Sequence, residues 1–270
     1  MVFLPQCSKK LYGRLGVLKE IVTVGVAFCS ISLLVAAASA QHESVLQARV
    51  FKNKRGGTMP YRLFVPKNYD GHFEYPLVLY LHGGGGLGTD NLKQIQTGNA
   101  ITLGMFLEPQ NQSKYPCLIL APQSHDEGWV EADHKTPSPQ LDLALELVES
   151  LIAEYHIDRH RLYVIGQSLG GFGTFALISK RPGLFAAAVP ICGGGDESRA
   201  ARIARMPVWA FHGAKDGAVN VELSRRMIAA MQKAGGTPRY TEYPDDGHVV
   251  WPRVIREPEL LSWLFSQRVN

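Results

Sequence analysis

From residue 45 onward the chain alternates short apolar runs with helix-length amphipathic stretches. The runs at 45–51, 61–65, 77–81, 117–121, 162–165, 186–191, 208–211 and 239–243 predict eight strands. The central runs are unbrokenly apolar rather than alternating, the pattern of strands covered on both faces. One intervening helix should start with Ser138 as N-cap and Pro139 in the first helical position, carrying Leu141, Leu145, Val148, Ile152 and Tyr155 on one stripe. Another should follow Asn220, turn Leu223, Met227 and Met231 inward, and stop at Gly235 and Gly236. Strand and helix alternating in this order predict an α/β fold: a doubly wound, mostly parallel eight-stranded sheet with an antiparallel start from the two closely spaced first strands. No repeat, low-complexity tract or linker interrupts it, so 41–270 reads as one domain. The segment 193–207, between the sixth and seventh strands, is too short for a cap domain.

The first forty residues have a different pattern. Lys9, Lys10, Arg14 and Lys19 precede an apolar stretch at 21–38, and Ala38-Ser39-Ala40 offers small residues for cleavage. Residues 1–40 therefore read as an export signal, leaving a periplasmic or extracellular protein with no stable membrane span. A retained anchor is the alternative, because eighteen residues at ~1.5 Å each nearly match a ~30 Å hydrocarbon core. Thr23, Gly25, Ser30 and Ser32 dilute that stretch and favour cleavage.

Cleavage also changes the charge balance. The signal holds four of the 28 basic residues and one of the 24 acidic ones, so 24 basic face 23 acidic in the remainder. A nearly neutral chain lacks the basic footprint that nucleic-acid binding requires. Of four cysteines only Cys117 and Cys192 remain after the signal. They fall at opposite ends of parallel strands, too far apart for the Cα separation of under ~7 Å that a disulfide needs, and should be thiols.

The strongest chemical signal is Gly166-Gln167-Ser168-Leu169-Gly170, directly after an apolar run and before a helical pattern. That is the strand-turn-helix context of a nucleophile elbow, which holds a serine hydroxyl out at the C-terminal edge of a sheet. A serine hydroxyl needs a base, and the base needs a partner that fixes its tautomer. In the expected order of serine, acid and histidine, Asp216 follows the 208–211 strand and His248 follows the 239–243 strand. Asp245 and Asp246, too near His248 in sequence, read as turn residues, and His82 and His212 as strand-end scaffold bonded to loop backbone.

Donors for the oxyanion of a tetrahedral intermediate are also needed. The loop His82-Gly83-Gly84-Gly85-Gly86 supplies them, with the Gly84 and Leu169 amides as the expected pair. Trp129, Gln167 and Trp251 are the candidate substrate contacts. Gly83, Gly85 and Gly88 also satisfy a dinucleotide-binding pattern, but the helix starts late and the next strand runs into Pro122-Gln123 instead of an acidic residue. With no H-E-x-x-H, C-x-x-C or Walker lysine, no metal and no cofactor is expected.

Taken together, Leu81-His82-Gly83, Asp90-Asn91, Ala121-Pro122-Gln123, Trp129, Pro190-Ile191-Cys192-Gly193-Gly194, Gly247-His248, Trp251 and 258–264 resemble the lidless α/β-hydrolase esterases. These are the group of polyhydroxybutyrate depolymerase-like, feruloyl-esterase-like and "predicted peptidase" proteins. The resemblance implies an α/β-hydrolase fold without a cap, and hydrolysis of small-molecule or polymer-linked carboxylic esters through an acyl-enzyme. Ser168, Asp216 and His248 would be its triad, and Gly84 and Leu169 its oxyanion donors. This chain departs from relatives that carry Ala-Gly-Glu-type residues after the His-Gly, and from those with an immunoglobulin-like N-terminal domain. A serine peptidase using the same residues and a noncatalytic binding protein stay open as alternatives; oligomeric state is not legible.

Overall fold

The computed structural model describes residues 43–125 and 128–269, so the expected export segment at 1–40 lies outside the described residues. Strands β1 (Gln47–Lys52), β2 (Thr58–Phe64), β3 (Tyr75–Leu81), β4 (Leu118–Pro122), β5 (Ile157–Gln167), β6 (Ala187–Ile191), β7 (Trp209–Gly213) and β8 (Arg239–Tyr243) form one sheet in the order β1-β2-β4-β3-β5-β6-β7-β8. β1 and β2 pair antiparallel, as do β2 and β4, and all remaining pairs are parallel.

The unbroken apolar runs serve two layers because successive side chains in a strand point to opposite faces. On β3, Leu77, Leu79 and Leu81 enter one core while Val78 and Tyr80 enter the other. The first core is completed by helices α3 (Pro139–Glu154), α4 (Leu169–Lys180) and α6 (Glu222–Lys233), through Leu141, Val148, Phe175, Met227 and Met231. The second takes Leu103 and Phe106 of α1 (Thr97–Leu107), Val254 of α7 (Trp251–Val254), and Leu260 and Leu264 of α8 (Leu260–Ser266). Each such fully buried side chain contributes roughly 1.5–3 kcal/mol of transfer free energy. The short helices α2 (Pro109–Lys114) and α5 (Ala200–Ile203) fill connections, and α5 is part of the only segment joining β6 to β7, with no cap inserted there.

Two helix ends depart from or refine the sequence pattern. Ser138 does precede α3, but its hydroxyl makes no cap bond; it donates to the Gly128 carbonyl at 2.6 Å and so ties the helix to the loop after β4. The stop after α6 has its donors placed: the amides of Gly235 and Gly236 close onto Gln232 and Met231 carbonyls, satisfying groups a helix end leaves open. β5 is also longer than its apolar run, since Ile157 pairs with Tyr75 across a register shift and draws the polar stretch 158–161 into the strand. Among the described residues, no helix is long and apolar enough to cross a membrane.

Candidate active site

The parallel strands deliver their C-terminal ends to one edge, where ligands bind in open α/β sheets. β5 ends at Gln167 and α4 begins at Leu169, so the turn between them consists of Ser168 alone. Its backbone is forced to φ 56° and ψ −118°. A non-glycine residue in that region is strained, and such strain is held only where the surroundings fix it. The Ser168 amide donates to the Ile191 carbonyl at 2.8 Å, and α4 starts by donating from Gly171 to the Ser168 carbonyl at 2.8 Å. The neighbour two residues on has to be glycine because α4 runs against the end of β3: a Cβ on Gly170 would lie 1.9 Å from the Leu81 carbonyl oxygen.

The structure brings the three expected side chains together. His248 Nε2 lies 2.9 Å from Ser168 Oγ, and His248 Nδ1 lies 2.7 Å from Asp216 Oδ2. The imidazole is partly exposed, at 22%, while the Asp216 carboxylate is fully buried. Asp216 Oδ1 accepts the amides of Ala218 and Val219, each at 2.8 Å. Burial pushes the Asp216 carboxyl up, but the Val219 amide, His248 and the Ala218 amide outweigh it and hold it below the usual carboxylate range. Asp245 and Asp246 are turned outward to Lys215 and Arg253.

On the other side of the serine sits the glycine loop. Residues Gly84–Gly86 form a single 3-10 turn, closed by the Gly86 amide on Gly83 and the Leu87 amide on Gly84. Asn99 of α1 anchors it, accepting the Gly83 amide at 2.9 Å and the Tyr80 hydroxyl at 3.0 Å on one oxygen. Gly84 and Leu169 are the first residues of their helical turns, where amides have no partner inside the helix. No acceptor among the described residues takes either one.

His82 is scaffold. Its Nε2 accepts the Ser124 amide at 3.0 Å, which leaves the ring proton on Nδ1 to donate to the Gly83 carbonyl at 2.8 Å. Burial lowers its pKa to about 4, so the ring stays neutral. Cys192, under His248 with its sulfur 3.4 Å from the His248 carbonyl, and Cys117 are both free and buried. Burial pushes Cys117 up to about 12 and Cys192 higher still, so neither is a reactive thiolate.

Two of the three candidate substrate contacts need correction. Trp129 is completely buried; its indole N–H donates to the His82 carbonyl at 3.0 Å, its ring tilts against the His82 ring at 4.8 Å, and it props the glycine loop from below. Gln167 is 2% exposed and bonds to the Thr102 hydroxyl, tying the elbow to α1. Both point into the protein because a residue flanking the elbow, or ending the loop under it, meets packed helix rather than the open edge. Trp251 does stand beside the reacting groups, edge-on to the His248 ring at 5.6 Å, though only 7% of it is exposed. The sequence reading missed Asn99, Thr102 and Ser224. The signal for the first two was visible as polar residues three apart inside the otherwise apolar stretch 98–107.

Comparison with known proteins follows the same lines. The model of the prolyl oligopeptidase family, Peptidase_S9, matches residues 131–203, a span that contains Ser168 but stops short of Asp216 and His248. The chain is 27% identical over 200 residues to a probable feruloyl esterase C of Aspergillus niger, covering 72% of this chain and 68% of the relative. It is 39% identical to the crystal structure of a thermostable esterase, with a TM-score of 0.79, covering 83% of this chain and 64% of that one. A ferulic acid esterase structure, 15% identical with a TM-score of 0.61 over 82% of this chain and 98% of its own, shares the fold. The chain thus spans about two thirds of the length of the feruloyl esterase C and slightly less of the thermostable esterase. The fold is that of the α/β-hydrolases, and the feruloyl esterase C and the thermostable esterase to which the chain is similar are carboxylic ester hydrolases.

Proposed function

We propose that this chain, an α/β-hydrolase of the feruloyl-esterase-like type, hydrolyses carboxylic esters through an acyl-enzyme formed on Ser168. The observation that carries the reading is the unbroken relay from Ser168 Oγ to His248 at 2.9 Å and from His248 to Asp216 at 2.7 Å, beside two amides with no acceptor among the described residues. His248 Nε2 takes the hydroxyl proton as Ser168 Oγ attacks the ester carbonyl. The Gly84 and Leu169 amides receive the charge that develops on the carbonyl oxygen. His248 then returns its proton to the leaving alcohol, and water, activated by the same ring, releases the acid. Asp216 fixes the Nδ1–H tautomer and stabilises the imidazolium without itself taking the proton.

Short-chain acyl and aryl esters, free or polymer-linked, are the substrate class that fits. The short β6–β7 connection places no cap over the edge, and one relative is a probable feruloyl esterase C. Residues 1–40 fit an export signal that would bring the enzyme to the periplasm or outside the cell, where such polymers are met. A peptidase reading is favoured by one observation, the prolyl oligopeptidase family match across the elbow. That span is the part of the machinery that ester and amide hydrolysis share.

The test is a fluorophosphonate label followed by peptide mapping, with a panel of acetyl, longer acyl and aryl esters and one matched amide. Labelling at Ser168 and turnover of esters well above the amide are expected. An unlabelled Ser168, or an amide turned over faster than its ester, would defeat the proposal.

A further inference from the structure

We infer that His212 is a positioning residue for this reaction, a second imidazole that donates to the same Asp216 oxygen that His248 uses; the inference rests on the triad reading above. His212 sits near the end of β7 with its side chain fully buried. Its Nε2 meets two oxygens, Asp216 Oδ2 at 3.1 Å and the Val219 carbonyl at 3.1 Å. Neither a carboxylate nor a carbonyl can donate, so the ring proton belongs on Nε2. Nδ1 faces the Ser224 hydroxyl at 2.7 Å, which also lies 2.6 Å from the Gly193 carbonyl. Burial lowers the His212 pKa against the opposing pull of Val219 and Asp216, and the Ser224 hydroxyl beside Nδ1 donates its own proton to the Gly193 carbonyl.

His82 shows what a plain scaffold histidine does in this protein: it spends both nitrogens on backbone. His212 instead shares its one donor between the Asp216 carboxylate and the Val219 carbonyl, each 3.1 Å away. Asp216 thereby has both oxygens held, Oδ1 by the Ala218 and Val219 amides and Oδ2 by His212 and His248. The carboxylate cannot rotate without losing several of these bonds at once, and Oδ2 is presented at 2.7 Å to His248. The second donor also spreads the charge on Oδ2 and so lessens the carboxylate's pull on the imidazolium that forms when His248 takes the Ser168 proton.

Other ionisable groups around His212 leave this balance to the carboxylate. Cys192, from the turn after β6, keeps its thiol proton and shares a 4.8 Å cluster with His212 and Asp216. Glu242 on β8 acts on His212 only through space and is bonded to Arg225. His248 is the remaining neighbour with a charge to change.

The experiment compares His212→Leu, which removes the donor, with His212→Gln, which returns one near the Nε2 position, using phenyl acetate hydrolysis followed across the acid limb by pH-stat. For folded His212→Leu, kcat/KM should fall on the order of 10- to 100-fold and the acid limb should move to higher pH by roughly half a unit. His212→Gln should recover part of both. An unmoved limb, or a Gln variant no better than Leu, would overturn the inference. Should His212→Leu not fold, nitrogen–proton NMR of the unsubstituted enzyme decides it: a His212 proton on Nε2 is expected, and one on Nδ1 overturns the assignment. Activity that survives Ser168→Ala would bring down the triad reading and this inference together, whereas an unmoved limb in folded His212→Leu brings down this inference alone.

Discussion

The two ends of the relay are built on opposite principles. At the Asp216 end every hydrogen-bonding position is occupied, by two backbone amides and two imidazoles, and the carboxylate is fully buried. At the Ser168 end the backbone is strained and two amides have no acceptor among the described residues. A saturated group in a dry environment keeps its orientation and charge. An unsatisfied one is ready to receive charge without reorganising, which is where electrostatic stabilisation of a transition state comes from. The anchored end should therefore tune the reaction and the open end should perform it.

The sharpest test of that division removes one group from each end. Ser168→Ala deletes the attacking atom and should lower kcat by ~10⁶. Asp216→Asn keeps the shape of the anchored end but can turn an amide NH2 toward His248 Nδ1, favouring the wrong tautomer at a cost of ~10⁴ in kcat. Steady-state kinetics on one activated ester measure both. If the asparagine variant were as dead as the alanine one, the anchored end would be doing more than tuning.

What could be read in the sequence follows the same division. Ser168, Asp216 and His248 each come soon after the end of a parallel strand, so topology alone carries them to one edge, and the glycine run after β3 marks the loop beside them. The central strands were legible because burial on two faces leaves an unbroken apolar signature, and the antiparallel start because its two strands lie close together in the sequence. The contacts that secure the site were not. Gln167 with Thr102, Gly83 with Asn99 and His212 with Ser224 join different elements, and no local pattern encodes which polar residue will face which. Trp129 misled because an aromatic residue in a loop after β4 looks the same whether it lines a cleft or fills the space beneath one.

An intermediate effect should come from the glycine loop itself, where two neighbouring positions differ completely. A Cβ on Gly86 would lie 2.4 Å from Cγ of the His82 ring, whereas a Cβ on Gly84 would have nothing within 4 Å. His82 is locked by Ser124 and Gly83, so the turn has to move instead. Gly86→Ala should displace the Gly84 amide and cost ~10² to 10³ in kcat, the value of one oxyanion donor. Gly84→Ala should leave the melting temperature unchanged and cost far less activity. Equal losses in the two variants would mean that the loop is not held by the His82 ring.

The smallest effect separates support from contact. Trp129→Phe keeps an aromatic ring in the space against Gly173 and Leu81 but removes the indole donor, leaving the buried His82 carbonyl without that bond. An unsatisfied buried acceptor costs about 1–3 kcal/mol, which for a chain of this size lowers the melting temperature by roughly 2–4 °C per kcal/mol. Because the ring is fully buried, KM for an aryl ester should stay within about twofold, the size of change that surface-neutral substitutions give. A thermal melt and a KM measurement on the same preparation check both halves. A tenfold rise in KM at unchanged stability would make Trp129 a wall of the substrate pocket after all, and would mean that the loop above it opens when substrate binds.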